Sequence, residues 1–133
     1  MTLEAAVVNT LAGIFLILHG LVHFWYVVLS FEWVKFQPEM GWSGKSWLFS
    51  SLINESTLRS LAGLLFIIAA LLFVISGISI FFQPQWLNTL LMVSSIFSSL
   101  LLILFWDGNL AMIVQKGIIG LIINLVIIAL VIL

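Results

Sequence analysis

The chain has 133 residues, 64% hydrophobic and 7% charged, with a formal net charge of −1 and no cysteine. Soluble domains carry roughly 45–50% apolar and about 25% charged residues, so this apolar surplus suits a bilayer rather than an aqueous core. The lack of a basic field argues against nucleic acid as a partner. The lack of thiols excludes disulfides, cysteine-ligated zinc, iron–sulfur clusters and thiol chemistry.

A hydrocarbon layer about 30 Å thick needs roughly 20 apolar residues as a helix. Four stretches meet that length, at about residues 5–31, 58–82, 87–106 and 110–133. The first opens on Met1-Thr2-Leu3-Glu4 without a positive n-region and is too long for a signal peptide, so it is expected to be a retained span. Backbone groups in lipid must be satisfied within the segment, and the alternation of a barrel strand is missing, so helices are expected. The expected fold is all-α: a single integral membrane domain of four transmembrane helices.

The connections differ in kind. Gln83-Pro84-Gln85 reads as a tight link, with proline ending one helix and suited to the first turn of the next. Asp107-Gly108-Asn109 reads as a second, with Asp107 or Asn109 capping the fourth helix and Lys116 snorkelling near its start. The long connection over 32–57 carries a turn at Gly41-Trp42-Ser43-Gly44. After it, Trp47, Leu48, Leu52 and Ile53 recur at helical spacing opposite Lys45, Ser46, Ser50 and Asn54. That pattern predicts a short amphipathic helix in the headgroup layer, with Trp33, Trp42 and Trp47 at interfacial depth. Lys35, Lys45, Arg59 and Lys116 all flank the first–second and third–fourth links. By the positive-inside rule these links face the cytoplasm and both termini lie on the other side of the cell membrane.

Each span has one distinctive face. Ala12, His19, His23, Tyr26 and Ser30 line one side of the first, and Ser60, Gly63, Ala70 and Gly77 one side of the second. Ser94, Ser95, Ser98 and Ser99 mark the third, and Gly117, Gly120 and Asn124 the fourth. Small residues are what membrane helices use to pack, so these faces are expected to form the bundle interior. Counted at 1.5 Å per residue, His23 lies about 12 Å from its cytoplasmic end, and Ser99 and Asn124 about 10 Å from theirs. His23, Ser98, Ser99 and Asn124 are therefore expected in one polar layer, with His19 a turn deeper. Glu55, Arg59, Asp107 and Lys116 would ring a mouth open to the cytoplasm.

Several chemistries fit parts of this set. His19 and His23, spaced i, i+4, place two imidazoles about 6 Å apart on one face and could chelate a metal. A third ligand is missing, since Glu4, Glu32, Glu39, Glu55 and Asp107 all sit near span ends. Haem needs ligands on opposite faces of the ring, which two histidines on one face cannot supply; a second copy of the chain, or Met92 or Met112, would have to complete the pair. A quinone-like apolar ligand could be held by His19, His23, Tyr26, Ser98, Ser99 and Asn124. Transport is disfavoured because the spans hold no Asp, Glu, Lys or Arg at mid-depth. Gly41-Trp42-Ser43-Gly44-Lys45-Ser46 is too short for a P-loop, and the sequon Asn54-Glu55-Ser56 falls on the cytoplasmic side.

The segment His19-Gly20-Leu21-Val22-His23, with Trp106-Asp107-Gly108 and Lys116-Gly117…Asn124, resembles small prokaryotic four-helix membrane proteins, loosely similar to DoxX-like proteins. The resemblance spans most of the chain through short motifs. It implies an accessory role beside quinone-associated membrane redox systems and transfers no catalytic residues. The sequence as a whole predicts a non-catalytic accessory subunit or apolar-ligand (quinone- or lipid-like) binder, in a homo-oligomer or larger membrane complex. The alternative is a redox-linked metal- or haem-binding protein using His19 and His23.

Overall fold

The computed structural model describes residues 1–34 and 42–133. It contains helices α1 (Leu3–Ser30), α2 (Glu55–Ser79), α3 (Leu87–Leu104) and α4 (Ile119–Ile132), the last preceded by a single π-type turn, Val114–Ile118. No strand occurs among the described residues. All four helices, α4 counted with its preceding turn, are long and apolar enough to cross a membrane. Lys35, Glu39 and Gly41 lie outside the described residues.

Local chemistry sets where these helices begin. Thr2 Oγ1 accepts from the Ala5 N–H at 3.2 Å, and Asn54 Oδ1 accepts from the Thr57 N–H at 2.8 Å. Both satisfy an orphan first-turn donor. The helices pack in chain order: α1 on α2, α2 on α3, α3 on α4, while α1 and α4 approach little. The α1–α2 seam is the closest. A Cβ on Gly77 would lie 2.6 Å from the Gly13 carbonyl oxygen, so the two backbones meet where neither residue has a side chain. Between α2 and α3, Ser76 and Ser94 hydroxyls meet at 3.2 Å, and each also donates to the carbonyl four residues back.

The end of the bundle that carries the α1–α2 and α3–α4 links is closed by the 42–53 segment. This segment is a chain of helical turns rather than the expected amphipathic helix, with Ser50 N–H on Ser46 O at 3.2 Å and Ile53 N–H on Phe49 O at 3.0 Å. The cause lies at the C-terminus of α3, whose last carbonyls lack helical donors. Trp47 Nε1 donates to Ile103 O (2.7 Å), Ser46 Oγ to Leu104 O (2.5 Å) and Trp42 Nε1 to Phe105 O (2.6 Å). The Trp47 N–H reaches Trp106 O at 2.8 Å. Ser46, expected on a polar outer face, is thereby buried, and Trp42 is packed into the bundle end.

The fourth helix begins later than its apolar run. Met112 (φ 58°) and Gly117 (φ 108°) break the path between 110 and 118. A Cβ on Gly117 would meet the Tyr26 hydroxyl and the Leu102 side chain, so this left-handed position also lets the chain pass close to α1 and α3. Asp107 and Asn109 do not cap α4 as expected. Asp107 Oδ1 accepts from the Asn109 N–H and Asn109 Oδ1 from the Ala111 N–H, both at 2.9 Å, so they fix the preceding turn.

Candidate functional site

The polar faces of α1, α3 and α4 converge at mid-bundle. His19, His23, Ser98 and Asn124 are all buried, Asn124 and Ser98 completely. They form one hydrogen-bonded chain whose direction follows from a single fixed acceptor. The His19 carbonyl can only accept, so His23 donates to it from Nδ1 at 2.8 Å. In the neutral ring Nε2 is then an acceptor, and the Ser98 hydroxyl donates to it at 2.5 Å. Ser98 Oγ in turn accepts from Asn124 Nδ2 at 2.8 Å. Asn124 Oδ1 accepts from His19 Nε2–H at 2.9 Å. Every polar group in the chain is satisfied except His19 Nδ1, which makes no hydrogen bond among the described residues.

Phe73 of α2 walls this layer, its ring edge-on to His19 at 4.6 Å and stacked on His23 at 5.3 Å. Phe15 stacks on His19 at 6.1 Å. Both Nε2 atoms and His23 Nδ1 are engaged, so the pair offers a metal one free nitrogen as arranged. No group of three or more His, Cys, Asp or Glu side chains suited to a metal exists among the described residues.

His19 joins the polar layer directly, through Asn124, rather than lying beneath it. Ser99 is buried but has no hydrogen-bond partner. Tyr26 stands apart, stacked on Phe66 at 4.8 Å toward the linker end. The four residues expected at a mouth form two ion pairs. Lys116 Nζ meets Asp107 Oδ2 at 2.8 Å, and Arg59 Nε meets Glu55 Oε1 at 3.0 Å. Ser43 connects them: its hydroxyl donates to Asp107 (3.3 Å) and its carbonyl accepts from Arg59 (3.4 Å). Arg59 also donates to Leu29 O near the end of α1 and lies 5.7 Å from the Trp42 ring. Burial favours a neutral Asp107, but hydrogen bonds from Lys116, the Asn109 N–H and Ser43, with the Lys116 charge, hold its carboxyl below the usual value.

This mouth is shut. Tyr26, Trp42, Phe66, Phe105 and the Asp107–Lys116 pair leave a void of about 10 Å³, room for about one water-sized probe. The centre of the expected opening is therefore filled by packed aromatic side chains, while a space of about 380 Å³ lined by Gly44, Lys45, Ser50, Ile53, Glu55 and Leu58 lies at the same end. At the other end, between α1 and α4, a groove of about 420 Å³ is lined by Ala12, Phe15, Leu16, Asn88, Leu91, Ile123 and Ile127 among others. Its walls come within one residue of Asn124, at Ile123, and one turn of His19, at Phe15 and Leu16. A second apolar groove of about 230 Å³ flanks Leu102, Trp106 and Gly117.

Phe66 and Phe73 did not stand out in the sequence, yet with Gly63, Ala70 and Gly77 they complete one i, i+3, i+4 stripe on α2. Gly13, the partner of Gly77, could be found only by pairing helices. Compared with protein families, curated proteins and solved structures, the chain matches none.

Proposed function

We propose that this is a multi-pass cell-membrane protein, a non-catalytic accessory subunit that binds a small apolar ligand, quinone- or lipid-like, in the groove between α1 and α4. Both termini and the groove's half of the bundle then face the non-cytoplasmic side. The observation that carries this reading is the groove itself: about 420 Å³ of mostly apolar space with Asn88 in its wall, and with another wall residue, Phe15, stacked on His19 at 6.1 Å. Small-molecule sites are typically clefts of about 300–1,000 Å³ with apolar walls and a few placed polar groups. The protein supplies no electron carrier of its own, so any redox role is an accessory one beside a partner complex or a second copy. The resemblance to DoxX-like proteins implies a role of the same kind.

The test is binding of a radiolabelled benzoquinone with a ten-carbon tail to the protein in nanodiscs. Saturable binding near one per chain is expected, with loss in Ala12→Phe, which fills the groove from its smallest wall residue. Absence of saturable binding, or equal binding by a folded Ala12→Phe, overturns the reading.

A further inference from the structure

Of the described residues that line the 420 Å³ groove, Asn88 alone has a polar side chain, and none is charged. Asn88 is exposed in the first turn of α3, and its carboxamide makes no hydrogen bond among the described residues. The other asparagines are engaged. Asn54 caps α2, Asn109 fixes the turn before α4, Asn124 joins His19 to Ser98, and Asn9 reaches the Met1 sulfur at 3.9 Å. Asn88 does no such local work, since the N-cap of α3 is Trp86 and no side chain caps that helix.

Its place gives the groove a direction. Ile80 and Asn88 flank the Pro84 turn and Val131 lies near the end of α4, so these residues mark the outer end. Phe15 and Ile122 mark the inner end, toward the histidine layer. From Val131 to Ile122 the wall runs about 13 Å, at 1.5 Å per residue. At the inner end the polar groups of His19, Ser98 and Asn124 bond to one another, and none of these residues lines the groove. A head turned inward would meet apolar walls, whereas a head turned outward meets a free carboxamide. Resting on the groove reading above, we infer that Asn88 holds the ligand's head at the Pro84 end, with the tail directed inward, and that this head is uncharged and carries an oxygen. A carboxamide donates from Nδ2 and accepts at Oδ1, so it pairs with a carbonyl or a hydroxyl. No Lys or Arg lies in α1, α3 or α4, so a carboxylate or phosphate head would find no counter-charge on the groove's helices. The ligand class is a neutral ketone-, quinone- or alcohol-headed amphiphile.

The experiment compares five probes of equal tail length in nanodiscs: a methyl ketone, a primary alcohol, an alkane, a carboxylate and a primary amine. The ketone or alcohol is expected to bind about tenfold tighter than the other three, about one hydrogen bond's worth. Asn88→Leu should erase that preference, leave the alkane's affinity within about twofold and leave the melting of the ligand-free protein unchanged, because no bond is lost. Orientation is read with a diazirine placed beside the head or at the tail tip of the alcohol. The first should label Ile80, Asn88 or Val131, and the second Phe15 or Ile122. If Asn88→Leu keeps the preference, if the labels are reversed, or if a charged probe binds tightest, the head assignment is overturned and the groove reading survives. If no probe binds saturably, both fail together.

Discussion

At the linker end, Trp42, Ser46 and Trp47 donate to three consecutive carbonyls at the end of α3, two ion pairs join through Ser43, and the void among Tyr26, Trp42, Phe66 and Phe105 is about 10 Å³. At the Pro84 end, α2 and α3 are joined by a tight turn, but α1 and α4 part around about 420 Å³ of apolar space. The same four helices thus end in a mouth plugged at its centre on one side and a lateral cleft between the first and last helices on the other. Helix termini carry unsatisfied backbone groups that must find partners. At the linker end a loop supplies them, and its aromatic side chains fill the mouth. At the other end a short turn leaves nothing to cover the seam between the first and last helices. A lateral groove is the consequence of that unequal distribution of loop.

The comparison breaks most sharply at Trp42. Trp42→Ala removes a buried ring and the donor to Phe105 O, and is expected to cost about 3–5 kcal/mol in denaturant titration of the reconstituted protein. Trp42→Phe keeps most of the packing and should cost about 1 kcal/mol, the worth of the bond alone. Equal losses for the two would show that the indole N–H, not the filling, closes this end. Next is the α1–α2 seam. Gly77→Val forces a branched side chain against the Gly13 carbonyl and should cost about 1–3 kcal/mol, while a shift of α1 away from α2 widens the groove. An unaltered melting profile for Gly77→Val would mean the seam has slack that these positions deny it.

How legible this was depends on whether a signal was periodic or pairwise. The apolar runs placed four helices, because lipid-spanning length is written in composition. The layer of His23, Ser98 and Asn124 followed from counting residues inward from charged links. Counting could not show that His19 shares it, since that rests on how far Asn124 reaches across from α4. Ser46 and Trp47 read as opposite faces of an amphipathic helix, and Trp42 as an interfacial tryptophan in the turn before it. Their actual partners, the carbonyls of 103–105, have no signature, as every residue has one. The break before α4 was hidden for a related reason: Gly117 looked like a packing residue, and its positive φ is a fact of chain path.

Within the polar layer, Asn124→Leu leaves His19 Nε2–H without its acceptor while Ser98 still donates to His23. The expected loss is about 1 kcal/mol, since hydrogen bonds between membrane helices average less than their counterparts in water. A larger loss would place the network among the main supports of the bundle. At the linker end the charge pair gives a pH test. Asp107 has a folded value below its ordinary 3.8. Its contribution is therefore complete above about pH 5, begins to fade near the ordinary value, and is lost as pH falls through the folded one. Asp107→Asn should be less stable than the parent at pH 7, and the gap should shrink as pH falls below the ordinary value and through the folded one. A gap that persists at low pH would assign the loss to packing rather than to the Lys116 pair.

The smallest effect is the most diagnostic of the unequal ends. Ala12→Phe adds a ring where about 420 Å³ is open, so it needs no neighbour to move. The ligand-free protein should change by less than about 0.5 kcal/mol, the range of substitutions that meet no packed neighbour. Ser43→Phe adds a comparable ring beside a void of about 10 Å³ and removes the hydroxyl that donates to Asp107. It should cost about 1–3 kcal/mol through overpacking. The pair must be measured without added ligand, because any occupant lost from the groove would make Ala12→Phe look destabilising by mass action. If Ala12→Phe proves as costly as Ser43→Phe even then, α1 and α4 meet in the bilayer and the cleft between them is closed.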